Sequence, residues 1–240
     1  MARPRVLITG FGPFPGVPDN PSSWLAEALA AGAAPQADAE LHARVLPTEW
    51  QAVTFMPDLY AALQPTLMIH FGVCQRAKEL RIERFAHNRA ALRADARGAL
   101  PPGPTIRPEG HARFDTKLPA AKLAAHLAAC GLPATPSRSA GGYLCNYLYY
   151  HSLDWTERNG SLALFVHIPP VENFGEAALL RAGREILRFT LAASPLAGEA
   201  DRSLIGREGG KPHTQGLPLT PLPDPPPQGG RGRASLVAKG

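Results

Sequence analysis

The sequence predicts an α/β protein, a three-layer α/β/α sandwich around a mostly parallel, mixed sheet. Short apolar runs at 6–9, 66–71 and 162–168 each stop at a glycine or a proline, the pattern of strands buried on both faces. Longer amphipathic stretches at 50–63, 117–130 and 174–191 lie between and after them. Strands alternating with helices at this spacing build an open sheet covered by helices.

Residues 6–9 form the first strand, closed by Gly10. The loop 10–22 is packed with turn formers yet carries Phe11 and Phe14. Aromatics in such a loop either fold back onto the core or serve a site. Ser22 or Ser23 supplies an N-cap for a helix over 24–31. A second strand covers 41–46, closed by Pro47 and Thr48. The stretch 50–63 places Val53, Met56, Leu59, Tyr60 and Leu63 near one helical face, with Pro57 predicting a kink or a late start. A third strand, 66–71, ends at Gly72. Residues 94–115 are rich in Pro, Gly and charge and read as a long surface excursion. A helix over 117–130 stops at Gly131. A strand over 133–139 leads into the turn before Cys145, and the strand 162–168 ends in His167, Ile168 and Pro169. Strand ends are where open α/β sheets bind ligands, so Phe11, Phe14, Thr48 and Gly72 should converge on one edge.

The most informative stretch is 139–150. Gly141 and Gly142 make a tight turn, and Leu144, Tyr147, Leu148 and Tyr150 follow at helical spacing. Cys145 then sits in the first turn of a helix, where the positive end of the dipole favours a thiolate nucleophile. Read locally, a buried apolar cysteine is the commoner fate. His167 closes an otherwise apolar strand. His151, its rival, lies about two helical turns beyond Cys145 and points away from the turn.

The run Ala140-Gly141-Gly142-Tyr143-Leu144-Cys145-Asn146 resembles the cysteine motif of the pyroglutamyl peptidase I, or pyrrolidone-carboxylate peptidase, family. Three further blocks resemble that family in the same order, over about the first four-fifths of the chain. The loop from Gly10 to Ser22 is similar to its Gly-Phe-Asp-Pro-Phe…Asn-Pro-Ser signature, with Gly12 where Asp is usual and Asn20 in the Asn-Pro-Ser portion. The block Glu83-Arg84-Phe85-Ala86-His87-Asn88 resembles its Glu-Arg-x-Ala-x-Asn, and eleven positions separate Gly72 from Glu83, as in the family. His167-Ile168-Pro169 resembles its His-Ile-Pro. Many bacterial members carry Gln after the strand-end glycine, and this chain has Val73.

The resemblance implies a cysteine peptidase that hydrolyses the bond after an N-terminal pyroglutamyl residue, with Cys145 as nucleophile, His167 as base and Glu83 orienting the imidazole. It implies that Phe11, Phe14, Asn20, Thr48, Gly72, Val73, Arg93 and Tyr143 contact the substrate, that no metal or cofactor is needed, and that a homotetramer is possible. Gly12 and Val73 keep open an amidase for another small cyclic or acylated amide. A catalytically inactive binding protein is the other alternative.

The net charge of +5 is spread along the chain without aromatic interleaving, which argues against nucleic acid as a partner. No apolar run reaches the ~18 residues of a membrane span, and none suits a signal peptide. Three cysteines, Cys74, Cys130 and Cys145, fit neither a disulfide framework nor a zinc site, and a reducing, cytoplasmic location suits a catalytic thiol. The domain is expected over 1–198. Beyond it, Pro and Gly make up 15 of 42 residues, the composition of a disordered tail without catalytic duty.

Overall fold

In the computed structural model the described residues are 3–32 and 39–194, so the expected tail at 199–240 lies outside them. The chain runs through β1 (Arg5–Phe11), α1 (Pro21–Ala31), β2 (Glu40–Leu46), α2 (Trp50–Thr54), α3 (Met56–Leu63) and β3 (Leu67–Val73). It continues through β4 (Leu80–Glu83), β5 (Phe85–His87), β6 (Arg113–Asp115), α4 (Ala120–Ala129) and β7 (Ala134–Ser137). It ends with α5 (Leu144–Asn159), β8 (Leu162–Ile168), α6 (Val171–Phe174) and α7 (Glu176–Ala192).

The main sheet has the order β2-β1-β3-β8-β4-β7, and β5 and β6 form a separate pair. β2, β1, β3 and β8 are parallel neighbours. β4 runs antiparallel to β8 and parallel to β7. Period-2 alternation divides the buried strands between two cores. Val6, Ile8, Ile69, Leu164 and Val166 pack with α1, α4 and α7. Leu7, Met68, Ala163 and Phe165 pack with α2, α3 and α5. The result is the three-layer sandwich with a mostly parallel sheet.

Local differences from the sequence reading have physical causes. α1 begins at Pro21, not Trp24, because Asn20 rather than a serine caps it: Asn20 Oδ1 accepts from Ser22 N at 3.1 Å. Pro21 in the first turn is preset for a helix and needs no donor there. Ser22 Oγ instead donates to Asn20 Oδ1 and accepts from Phe11 N, tying the cap to the end of β1. The 50–63 stretch breaks at Phe55, and Pro57 sits in the first turn of α3. The excursion 94–115 is anchored, not free. Asn88 Oδ1 accepts from Ile106 N and Arg107 N, Ile106 and Phe114 are buried, and β6 pairs with β5.

A buried polar chain crosses the second core. His70 contacts Thr9 Oγ1 through Nδ1 and Ser152 Oγ through Nε2, each at 2.8 Å, and Tyr60 Oη lies 2.7 Å from Ser152 Oγ. None of these partners is charged, so burial alone lowers the His70 pKa from 6.5 to about 3. Between those two values the unfolded chain binds the proton and the folded chain does not. Stability therefore falls as pH falls through that window. The expected loss from this group is on the order of 4 kcal/mol across the window, measurable by urea unfolding at several pH values. His70→Gln keeps a donor and an acceptor but takes no charge, and should flatten the slope.

Candidate active site

His167 lies at the C-terminal end of β8, between two strands. Gly72 of β3 is its register partner on one side and Arg81 of β4 on the other. Because β4 is antiparallel, Glu83 pairs with Phe165 and lies on the same face as His167, one diagonal step away. The side chains meet there, with His167 Nδ1 at 2.8 Å from Glu83 Oε1. Glu83 is fully buried, and Arg81 Nε stands 3.8 Å from the same oxygen. Its second oxygen, Oε2, has no partner among the described residues. Tyr149 Oη donates to the Glu83 carbonyl and fixes the strand end.

Cys145 comes from the opposite direction, as the second residue of α5. Gly141 supplies the positive φ of +85° that turns the chain into the helix. Gly142 accepts from Ala91 N at 2.6 Å. Asn146 locks the turn laterally: its amide donates to the carbonyls of His87 and Arg89 and its oxygen accepts from His87 N. The Cys145 side chain lines the same cavity as His167 and is close enough to act on it electrostatically. With Nδ1 engaged by Glu83, Nε2 is the ring nitrogen left for it. Gly72 makes room for this approach. A Cβ on Gly72 would lie 2.9 Å from Phe165 Cζ and 3.1 Å from Cys145 Sγ.

Burial alone would drive the His167 pKa down. Cys145 and Glu83 outweigh it through charge and hydrogen bonds and raise it to about 10. The imidazole therefore holds its proton at neutral pH, between a sulfur and a carboxylate.

Cys145 and His167 open into a cavity of about 320 Å³. Phe11, Phe14, Val73 and Tyr143 supply apolar wall, and Gly72, Asn20, Thr48 and Arg93 also line it. Asn20 Nδ2 and Thr48 Oγ1 both donate to the Gly12 carbonyl at 3.0 Å, and Gly12 N donates to Leu46 O. The loop is thus held at Gly12 without the acid side chain usual there. Arg93 places its guanidinium 4.9 Å from the Tyr143 ring centroid, and Tyr143 Oη donates to Ala94 O.

Sequence reasoning missed several neighbours. Trp50 packs edge-on against Tyr143 at 5.2 Å and donates from Nε1 to Arg93 O. Asp95 accepts from the amides of Trp50, Arg97 and Ala99, which hold its pKa low against the opposing effect of burial. Cys74, Gln75 and Arg76 line the cavity directly after β3, where the strand-end rule gave a signal. His151 packs against Tyr147 at 5.0 Å, and burial lowers its pKa to about 4. It does not line the cavity. Among the described residues a single group of three metal-ligand types occurs, His126, Cys130 and Glu185, and there Glu185 Oε2 already binds His126 and Arg188.

A thiol at a helix N-terminus, an imidazole and a buried carboxylate in series, at the strand-end edge of an α/β/α sheet, define the class: a cysteine-hydrolase arrangement on an open α/β fold. The sequence model described as pyroglutamyl peptidase matches residues 4–177. The pyrrolidone-carboxylate peptidase of Chromobacterium violaceum is 35% identical over 87% of this chain and 99% of its own length. Pyroglutamyl-peptidase 1 of Rattus norvegicus is 32% identical over 80% and 92%. Among solved structures, pyroglutamyl peptidase I of Bacillus amyloliquefaciens superposes with a TM-score of 0.68 at 27% identity, covering 76% of this chain and 94% of that one. The pyrrolidone carboxyl peptidase of Fervidobacterium islandicum gives 0.71 at 28%, covering 77% and 97%. The chain belongs to the pyroglutamyl peptidase family.

Gly72→Ala tests the close approach of β3 to Cys145. The new methyl group pushes against a packed ring and the sulfur, and overpacking of this kind costs about 1–3 kcal/mol. The expected outcome is a lowered melting temperature together with altered alkylation of Cys145 by iodoacetamide. An unchanged melting temperature and alkylation rate would show that the site has slack there.

Proposed function

We propose that this protein is a cysteine peptidase that hydrolyses the amide bond after an N-terminal pyroglutamyl residue. The observation that carries the reading is the series Glu83–His167–Cys145 opening into a cavity walled by Phe11, Phe14 and Tyr143. A lactam ring is neutral and largely hydrocarbon, so aromatic walls suit it. Discrimination against other acyl groups must come from hydrogen bonds to the lactam.

Cys145, as thiolate, attacks the pyroglutamyl carbonyl carbon. The amides in the first turn of α5 have no intrahelical acceptor and receive the developing oxyanion. His167 gives its Nε2 proton to the departing amine, leaving a thioester. Water then attacks the thioester as His167 takes a proton from it, and pyroglutamate leaves while the sulfur regains its charge. Glu83, through Nδ1, holds the ring in one orientation and favours the imidazolium. All three cysteines are free, which suits a reducing compartment such as the cytoplasm. None of the described helices is long and apolar enough to cross a membrane.

The direct test is hydrolysis of a pyroglutamyl-coumarin reporter beside alanyl- and prolyl-coumarin. The pyroglutamyl compound alone should be cleaved. Cys145→Ala should abolish turnover, and Cys130→Ala should not. Cleavage of all three reporters, or turnover by Cys145→Ala, would sink the reading.

Glu83→Gln should lower kcat by about ten- to ten-thousand-fold with little change in KM. The pH profile separates orientation from bulk structure. With His167 protonated up to about pH 10, activity that uses the imidazolium as acid should decline as pH rises toward that value. Glu83 raises the His167 pKa by hydrogen bond and by charge, so in Glu83→Gln the decline should move to lower pH. An unmoved alkaline limb would remove Glu83 from this role.

A further inference from the structure

We propose that Arg76, with Arg93, forms a carboxylate subsite at the cavity, so that preferred substrates carry a carboxylate within a residue or two of the scissile bond. The proposal rests on the pyroglutamyl reading above. A pyroglutamyl ring has no charge, so guanidinium groups in its cavity have no counter-charge on the ring itself. Arg76 and Arg93 both line the cavity, and among the described residues no Asp or Glu does.

Arg76 is not on a slack loop. Ala77 N donates to Cys74 O at 2.9 Å, which places Gln75 and Arg76 at the corner of a tight turn. Cys74 N donates to Ile168 O, next to His167, and Asn173 Nδ2 donates to Ala77 O. Gln75 Nε2 reaches Gly16 O at 3.4 Å and joins the turn to the loop that carries Phe14. The backbone under Arg76 is therefore pinned to both the imidazole strand and the aromatic wall. The side chain itself is exposed and makes no hydrogen bond or ion pair among the described residues.

Two carboxylates near the site are committed elsewhere. Glu83 is buried behind His167, and Asp95, two residues from Arg93, accepts from three backbone amides. Arg93 lies over the Tyr143 ring. A free guanidinium on a fixed turn suits a planar carboxylate, which it binds by two parallel hydrogen bonds. The anion has two possible sources on the leaving side of the substrate. One is the terminal carboxylate of a pyroglutamyl dipeptide. The other is an Asp or Glu side chain directly after the pyroglutamyl residue.

The test compares kcat/KM for pyroglutamyl-alanine, its C-terminal amide, pyroglutamyl-glutamate α-amide and pyroglutamyl-glutamine α-amide. Each is measured at low and high salt, on the unaltered protein and on Arg76→Gln. At low salt each acid should exceed its neutral partner by about three- to tenfold, and salt should shrink that ratio. In Arg76→Gln the ratio should fall toward one. A preference confined to the dipeptide assigns the subsite to a terminal carboxylate, and one confined to the glutamate amide assigns it to a side chain. Equal cleavage of all four, or a full acid preference in Arg76→Gln, overturns the subsite and leaves the pyroglutamyl reading standing. Cleavage of none overturns both.

Discussion

The contact between His167 Nδ1 and Glu83 Oε1 organises the site. It exists because β4 enters the sheet antiparallel beside β8, which puts Glu83 diagonally across from His167 on one face. A slip of one residue in this register would turn Glu83 toward the core built with α1, α4 and α7. The buried carboxylate would then lose its His167 partner and keep only the longer contact to Arg81 on its own strand, at a cost of several kcal/mol. The imidazole would lose what fixes its tautomer. The antiparallel strand in an otherwise mostly parallel sheet is thus a requirement of the site as well as of the topology.

Around that pair, the second constraint is room. Cys145 reaches the imidazole because the residue beside His167 on β3 has no side chain. The same economy recurs at the end of β1. A Cβ on Gly10 would lie 1.9 Å from Ser22 O, so the first turn of α1 rests directly on the strand backbone. The loop between them is then held through one carbonyl, that of Gly12, by Asn20 and Thr48. Phe11 and Phe14 gain fixed positions from backbone contacts and small residues rather than from their own packing alone.

His70 and His167 show how partners decide the charge of a buried ring. Both lie on the same sheet face, on neighbouring strands. His70 hydrogen-bonds only to hydroxyl groups, and burial drives its pKa to about 3. His167 is also deep, yet the nearby Cys145 and the Glu83 carboxylate at Nδ1 raise its pKa to about 10. The first ring is a neutral structural member, and the second keeps a proton available at neutral pH.

The class of fold was legible in the chain, since buried parallel strands need apolar runs that end at turn residues. So were the helix start at Cys145 and the strand end at His167, because glycine, proline and apolar spacing act locally. That Glu83 faces His167 came from the folded arrangement, because strand direction and register are set by pairing across 84 positions of chain. That arrangement alone made Asn20 the helix cap, anchored the 94–115 excursion through Asn88 and brought Arg76 to the cavity. Each of these depends on a polar group finding a distant partner, and composition and periodicity carry no record of that partner.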